Sequence, residues 1–142
     1  MAAALDEARA AGAMGETPVG AVVVAKGLIV GRGGNRVRAL ADPTAHAEMI
    51  ALRAAAARLG TERLAGADLY VTLEPCPMCA GAISLARIRR LYYGASDPKT
   101  GGVAHGARVF AHPQCHHAPE VYDGIAGAEA AALLRAFFAD RR

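Results

Sequence analysis

Two short segments of the chain carry residues of the types that bind transition metals. The first is His46-Ala47-Glu48 and the second is Pro75-Cys76-Pro77-Met78-Cys79. One histidine and two cysteines can supply three ligands to a tetrahedral zinc ion and leave the fourth position for water, an arrangement typical of catalytic rather than structural zinc sites. Zinc lowers the pKa of a bound water to about 7, so such a site would generate hydroxide at neutral pH.

The spacing of these residues favours a shared site. Cys76 and Cys79 are three residues apart, so on a helix they share one face. In the first turn of that helix, free N–H groups and the helix dipole would favour thiolate over thiol, and Pro75 is compatible with such a start. His46 is likewise predicted in the first turn of its own helix, so two helix N-termini would form an electropositive pocket.

Glu48 has two interpretations. As a fourth ligand it would make the site structural, but two residues on a helix are about 200° apart, so His46 and Glu48 cannot face the metal equally. The preferred interpretation places the Glu48 carboxylate on the water, where it moves protons as general base and general acid. A lone Cys-x-x-Cys can also be a redox pair or two buried thiols. The carboxylate beside the histidine and the proline before Cys76 together favour the metal site.

Composition and length indicate the class of protein. The chain has 142 residues, 54% of them hydrophobic and 20% charged, which predicts one globular domain. Three cysteines, two of them in one Cys-x-x-Cys, predict a reducing, cytoplasmic setting rather than a disulfide framework. No signal peptide or membrane span is expected. The net charge of +3 mildly favours a polyanionic partner, with a solvated basic surface as the alternative.

The hydrophobic pattern alternates between strands and helices, which indicates a layered α/β domain. We predict helices at residues 2–13, from Thr44 as cap to Gly60 as stop, from Cys76 to about Arg87, and at 127–142. We predict strands at residues 18–24, 28–31, 67–73 and 90–94, with a hairpin turn at Lys26-Gly27. Residues 33–44 and 97–102 are predicted loops. Residues 112–116 are predicted to form a loop or a short edge strand.

Two segments of the chain, 44–53 and 69–82, resemble the cytidine deaminase-like superfamily, whose zinc nucleobase deaminases share the H-x-E and P-C-x-x-C pattern. More closely, the chain resembles the bacterial tRNA-specific adenosine deaminases through residues 18–24, 97–101 and 132–138. This resemblance implies a three-layer α/β/α sandwich with a mixed five-stranded sheet and one deaminase domain over residues 1–142. It also implies one zinc ion per subunit and a cytoplasmic homodimer that acts on a tRNA anticodon stem-loop.

The same resemblance implies roles for individual residues. His46, Cys76 and Cys79 would bind zinc, and Glu48 would be the catalytic proton shuttle. The implied substrate-binding residues are Asn35, Asp97, Lys99, Thr100, His112 and Phe138. The Gly-Gly-Asn sequence at Asn35 is also an ordinary turn, a surface turn is the alternative for the 97–101 loop, and core packing is the alternative for Phe138.

The predicted reaction is the hydrolytic deamination of adenosine to inosine at the wobble position of tRNA. The activated water would attack C6, Glu48 would shuttle protons, and ammonia would leave. The first alternative is a guanine or cytosine deaminase acting on a free base or nucleoside, although small cytidine deaminases resemble a version with cysteine in place of His46. The second alternative is a non-catalytic, zinc-stabilised RNA-binding module.

Two departures from the pattern of these enzymes are Ser96 and the first helix, which starts abruptly and is expected to be short. Ser96 stands where a basic residue often precedes the Asp-x-Lys-Thr loop, and a serine carries no charge for a phosphate contact there. Cys115, His116 and His117 could form a second metal site, although the first site is complete without them.

Overall fold

Apolar strands and alanine-rich helices alternate along the chain and assemble around one sheet. The computed structural model describes residues 1–141, so Arg142, the predicted end of the last helix, lies outside the described residues. The elements in chain order are α1 (Ala2–Ala13), β1 (Gly20–Ala25), β2 (Leu28–Gly34), α2 (Ala47–Leu59), β3 (Asp68–Leu73), α3 (Pro77–Leu85), β4 (Arg90–Ala95), a one-turn 3-10 helix (Val109–Ala111), β5 (Glu120–Tyr122) and α4 (Gly127–Ala139).

The five strands form one mixed sheet in the order β2-β1-β3-β4-β5. Strand β1 is antiparallel to both β2 and β3, whereas β3, β4 and β5 are parallel. Helices α1 and α4 contact each other on one face, and α2 and α3 contact each other on the opposite face. The predicted three-layer α/β/α sandwich with a mixed five-stranded sheet is therefore confirmed. None of the helices within residues 1–141 has the length and apolarity needed to cross a membrane.

Glycines on β1 and β2 let helices pack directly against the strand backbone. A Cβ atom at Gly20 would lie 2.0 Å from the Ala4 carbonyl oxygen of α1. A Cβ atom at Gly31 would lie 2.3 Å from the Ala51 carbonyl oxygen of α2. The prediction that Gly33-Gly34 breaks regular structure is wrong, because β2 continues to Gly34. These glycines are strand residues whose missing side chains make room for the two helical layers.

The main core lies between the sheet and the α2–α3 layer. Its fully buried members include strand residues and residues in or just after α3: Val23, Leu69, Val71, Ile83, Ile88 and Leu91. A second, smaller cluster joins Leu5 of α1, Ala95 of β4 and Ala130 of α4. Both clusters pack against the carboxyl end of β3 at Leu73, so this end of the sheet is held from both faces.

Several predicted boundaries differ from the observed ones. Thr44 does not cap α2, because its backbone N–H and its hydroxyl both donate to Asp42 Oδ1, at 2.8 and 2.7 Å. This local turn leaves His46 as the N-cap, in an extended conformation with φ −72° and ψ 154°. The predicted stop at Gly60 is confirmed by its left-handed conformation, with φ 68°. The edge strand is Glu120–Tyr122, and residues 112–116 form a loop.

The glycine contacts generate a stability prediction. We expect Gly31→Ala to lower the free energy of unfolding by about 1–3 kcal/mol, because the new methyl group overlaps the α2 backbone. The control is Gly81→Ala in α3, where a Cβ atom meets no atom within 4 Å. At that helical position alanine should raise the free energy of unfolding by about 0.5–1 kcal/mol. Equal effects of the two substitutions in urea unfolding would contradict the packing described here.

Candidate metal centre and active site

The three predicted zinc ligands come together although 30 or more residues separate the histidine from the cysteines. His46 is the N-cap of α2, and Cys76 is the N-cap of α3, with Cys79 in the first turn. The Nδ1 atom of His46 lies 3.6 Å from the sulfur of Cys76 and 3.6 Å from the sulfur of Cys79. Within residues 1–141 this is the one group of three or more potential metal-binding side chains whose ligand atoms all lie within 4.8 Å of one another.

These distances match those of a tetrahedral zinc site. Zinc–nitrogen bonds of about 2.0–2.1 Å and zinc–sulfur bonds of about 2.3 Å place the nitrogen and sulfur atoms about 3.6 Å apart across a tetrahedral angle. The observed separations of 3.6 Å therefore need no rearrangement of the side chains to hold the ion. A set of one nitrogen and two sulfur atoms also suits zinc chemically and leaves one position without a protein ligand.

The start of α3 stabilises a thiolate before any metal binds. A hydrogen bond from the Cys79 thiol, together with the backbone N–H of Cys79, lowers the pKa of the Cys76 thiol to about 5. Nearby His46 acts in the same direction. The helix N-terminus thus supplies the electropositive surroundings that the spacing of the cysteines predicts.

Glu48 lies beside these ligands in α2 and is 4% exposed. Together with His46, Cys76 and Asn35 it lines a cavity of about 100 Å³. Burial raises the pKa of the Glu48 carboxyl above its ordinary value. The angular argument that separates His46 from Glu48 on a helix does not apply, because His46 precedes the helix and its backbone is extended. Both side chains therefore border the same cavity.

Asn35 lines the small cavity, and two hydrogen bonds hold it in place. Its backbone N–H donates to the Val19 carbonyl oxygen at 3.1 Å. Its side-chain Oδ1 accepts the N–H of Ala47, the first residue of α2, at 2.8 Å. The helix start thus uses one of the two lone pairs of the amide oxygen, while both N–H groups of the side-chain amide remain as donors. The sequence pattern did not reveal this contact.

The 97–101 loop borders the same cavity through Asp97 and Thr100. Asp97 Oδ1 accepts the N–H groups of Lys99 and Thr100 at 3.2 and 3.0 Å, and Oδ2 accepts the Thr100 hydroxyl at 2.5 Å. Burial alone would raise the pKa of Asp97, but these donors hold it below its ordinary value. The side chain of Asp97 therefore fixes the shape of its own loop.

A larger cavity of about 640 Å³ adjoins the small one. The two share four lining residues, which are Thr17, Leu73, Asp97 and Thr100. The larger cavity continues past Ser96 and Lys99 to Phe138 of α4 and to Arg141. Phe138 is 48% exposed, so it faces this groove rather than the core. Five of the six predicted substrate-binding residues thus line one continuous groove: Asn35, Asp97, Lys99, Thr100 and Phe138.

His112 is the exception among the predicted contacts. Its Nε2 atom lies 2.8 Å from the Ala107 carbonyl oxygen. It lines a different cavity of about 330 Å³ with Ser84, Cys115 and His116, and this cavity shares no lining residue with the groove.

No second metal group forms around Cys115 within residues 1–141. The Cys115 sulfur lies 3.4 Å from Ser84 Oγ and 3.1 Å from the His117 carbonyl oxygen. The ring of His117 is turned to the Ile88 carbonyl oxygen, with Nε2 at 2.6 Å. These contacts satisfy the side chains individually and do not bring them to one point.

Sequence reasoning missed Glu16 and Glu74, two buried carboxylates that each hold a loop through its backbone N–H groups. Glu16 accepts the N–H groups of Arg38 and Ala39 at 3.1 and 2.8 Å. Glu74, next to the zinc-binding Pro75-Cys76 segment, accepts N–H groups from residues 97 and 103–105. For Glu74 the available sequence signal was a carboxylate at the end of an apolar strand, which needs a partner wherever it is buried. No comparable signal marked Glu16, which lies between α1 and β1.

Comparison with known proteins agrees with this geometry. Residues 1–95 match the family described as the cytidine and deoxycytidylate deaminase zinc-binding region. A protein of Agrobacterium fabrum (strain C58) named tRNA-specific adenosine deaminase is 61% identical over 142 residues, which is 100% of this chain and 93% of the relative.

Two solved structures extend the comparison. One, from work on A-to-I editing by tRNA:A34 deaminases, has a TM-score of 0.93 and 61% identity, and the match covers 94% of this chain and 97% of that one. A guanine deaminase from Nitrosomonas europaea has a TM-score of 0.81 and 29% identity, over 96% of this chain and 81% of that one. The zinc-binding family match and the His/Cys/Cys group identify the cofactor as Zn²⁺. The chain therefore belongs to the cytidine and deoxycytidylate deaminase zinc-binding family and, within it, to the tRNA-specific adenosine deaminases.

Proposed function

We propose that this protein is a zinc-dependent hydrolase that converts adenosine to inosine at the wobble position of a tRNA anticodon. The observation that carries the proposal is the small cavity that joins His46, Glu48 and Cys76 and opens into a groove ending at Phe138. The cavity is lined by candidate zinc ligands and by Glu48, so the reaction would take place there, and the groove has room for neighbouring nucleotides. The tRNA-specific adenosine deaminase from Agrobacterium fabrum, at 61% identity over the whole chain, supports the choice of substrate.

In this proposal His46, Cys76 and Cys79 hold the ion. When bound, zinc supplies a water molecule whose pKa is lowered to about 7. The chain would contribute the proton transfers through Glu48. Its carboxylate would take one proton from the attacking water and deliver it to the purine ring nitrogen, and would then take the proton of the hydroxyl group formed at C6 and deliver it to the departing amine, which leaves as ammonia. Burial raises the pKa of the Glu48 carboxyl, because its charged form is poorly solvated. The carboxyl group can therefore hold a proton between these transfers.

Residues at the rim of the cavity bind the target base. Asn35 holds the base edge with its NH₂ group, while the Ala47 N–H fixes the side chain through its carbonyl oxygen. A deaminase acts on a base that is out of the stack, and an anticodon loop already offers unstacked bases. Asp97, Lys99 and Thr100 contact the flanking nucleotides, with the Lys99 ammonium group available to a phosphate, and Phe138 offers an exposed aromatic ring for stacking. His112 contacts the RNA outside this groove.

We further propose that residues 1–142 form one deaminase domain that acts as a homodimer in the cytoplasm, where tRNA is processed. An apolar groove of about 440 Å³ between α2 and α3, lined by Met49, Leu52, Leu85 and Ala86 among others, supports the dimer. Leu85 is 65% exposed in the single chain, and such a surface is commonly covered by a second copy.

A guanine deaminase is the second candidate, and the likeness to the Nitrosomonas europaea guanine deaminase structure favours it. The two candidates share the zinc chemistry and differ in what fills the groove next to the cavity. A free base would leave Lys99 and Phe138 without a partner, whereas an RNA loop would use both.

One assay separates these functions. The purified protein is incubated with an anticodon stem-loop that carries adenosine at the wobble position and, separately, with guanine, cytosine and cytidine. We expect inosine in the RNA and no turnover of the free compounds. A stem-loop with its only adenosine in the stem is the matched control and should remain unchanged. Turnover of guanine with an inert stem-loop would contradict the proposed function.

Because Glu48 is proposed to move protons and not to bind zinc, replacing it should abolish activity without loss of the metal. We expect Glu48→Gln to keep one zinc ion per chain and to lose at least about 100-fold in kcat, because the proton shuttle is removed. The control is Glu129→Gln, which changes an exposed glutamate in the first turn of α4 that lines neither the cavity nor the groove, and it should leave kcat unchanged. Zinc content is measured by elemental analysis. Near-normal kcat in Glu48→Gln would remove Glu48 from the mechanism.

The three-ligand set predicts different outcomes for the cysteines. We expect Cys79→Ser to lose most of its zinc on dialysis and to unfold at a lower temperature than the wild type, because a hydroxyl is a poor zinc ligand and metal binding contributes to folding stability. Cys115→Ser should retain zinc and melt close to the wild type. Equal zinc loss in both variants would contradict the assignment of the ligands.

A further inference from the structure

Glu74 is a buried carboxylate that the proposed reaction does not use. It follows the last residue of β3 and precedes Pro75 and Cys76, and its side chain is 0% exposed. Its backbone N–H donates to the Ala95 carbonyl oxygen at 2.8 Å, which fixes the residue where the parallel strands β3 and β4 end. Burying a charged carboxylate is unfavourable unless it is hydrogen-bonded, so its partners indicate its role.

The partners of Glu74 all come from one loop. Oε2 accepts the consecutive N–H groups of Val103, Ala104 and His105 at 3.2, 3.0 and 3.1 Å. Oε1 accepts the Asp97 N–H at 3.1 Å and lies 2.8 Å from His105 Nδ1. Burial alone would raise the pKa of Glu74, but these donors hold it below its ordinary value. Because a carboxylate has about four lone-pair sites, little capacity remains for contact with a substrate.

The loop lies directly on the carboxylate and on the start of α3. The Gly102 N–H donates to the Pro75 carbonyl oxygen at 2.7 Å. A Cβ atom at Gly101 would lie 2.4 Å from Glu74 Oε2, and one at Gly102 would lie 2.6 Å from the Pro77 nitrogen. Only glycines allow this close approach, so the backbone of the loop is held against the segment that carries Cys76.

The loop in turn carries groups that border the active-site groove. Asp97 and Thr100 line the zinc cavity, and Lys99 lines the adjoining groove. Asp97 is anchored through its own N–H to Glu74, while its side chain orders Lys99 and Thr100. A single buried carboxylate therefore connects the zinc-binding segment to the residues that face the groove.

We propose that Glu74 is a positioning residue for the RNA substrate. By holding residues 97–105 it sets the distance between Asp97, Lys99 and Thr100 and the zinc pocket, and it thereby determines RNA affinity rather than the rate of the chemical step. This inference rests on the proposed function, because those three residues are the proposed RNA contacts.

The test is Glu74→Gln, which keeps the shape of the side chain but replaces one acceptor oxygen by an NH₂ group. We expect the variant to retain one zinc ion per chain and to show little change in kcat. Its KM for the anticodon stem-loop should rise about tenfold or more, as expected for the loss of hydrogen bonds to a charged acceptor. Hydrogen–deuterium exchange should become faster in residues 97–105.

The matched control is Leu91→Ala. Leu91 is fully buried in β4 and belongs to the main core, and its side chain offers no hydrogen bond to residues 97–105, so the substitution lowers stability but leaves the hydrogen bonds of Glu74 in place. We expect its KM to stay at the wild-type value. The inference is overturned if Glu74→Gln leaves KM unchanged, if Leu91→Ala raises KM equally, or if the loss in Glu74→Gln lies in kcat.

A second variant covers the case in which Glu74→Gln does not fold. Gly101→Ala keeps the carboxylate but introduces a methyl group against Oε2, so the loop must move away from it. The same rise in KM with retained zinc is expected, and an unchanged KM would overturn the inference.

Direct binding separates this inference from the proposed function. If the wild-type protein leaves the stem-loop unchanged, the proposed deamination fails, and fluorescence anisotropy with the same RNA decides the role of the loop. Weaker binding by Glu74→Gln than by wild type and Leu91→Ala supports the positioning role. Equal binding by all three proteins overturns it.

Discussion

The meeting of two helix N-termini at one point is the constraint on which the rest of the site depends. His46 is the N-cap of α2 and Cys76 is the N-cap of α3, so both side chains leave extended backbone just before a helix begins. At the start of α3 the backbone N–H of Cys79 favours a thiolate at Cys76. Because neither residue is inside a helix, Glu48 can share the cavity with His46 although it follows only two residues later.

The sheet brings the N-termini of α2 and α3 together. Helix α2 approaches the sheet closely because Gly31 and Gly33 present no side chains to it, and α3 begins directly after β3. The parallel strands β3 and β4 end at the same edge, so the residues that follow them, Glu74 and the 97–101 loop, lie side by side. The candidate substrate groove is therefore a consequence of strand direction, and the glycines of β2 let the helix that follows His46 pack closely on the sheet.

The parts of the site that could be predicted from the sequence are those with local spacing. Cys76 and Cys79 lie close to one helical turn, and the short H-x-E pattern places Glu48 near its histidine. That the two segments meet, although 30 or more residues separate His46 from the cysteines, was predicted from their joint pattern, which resembles that of zinc deaminases, and not from local spacing. The predicted helix cap at Thr44 was wrong, because Thr44 donates its hydrogen bonds to Asp42 instead of capping α2. A pattern of apolar residues does not reveal such a competing hydrogen bond. The Gly33-Gly34 pair predicted a break in regular structure, because the helices that pack on those glycines are distant in sequence and a local pattern does not reveal them. Glu74 was missed for the same reason, since its partners lie 23 to 31 residues further along the chain.

The central claim is an open zinc site with one nitrogen and two sulfur ligands from the chain and with Glu48 outside the ligand set. X-ray absorption spectroscopy of the zinc-loaded wild type and of Glu48→Gln tests it most directly. We predict the same spectrum for both proteins, with two sulfur atoms at about 2.3 Å and two nitrogen or oxygen atoms at about 2.0–2.1 Å. A third sulfur ligand, or a spectrum that changes when Glu48 is replaced, would contradict this description of the site.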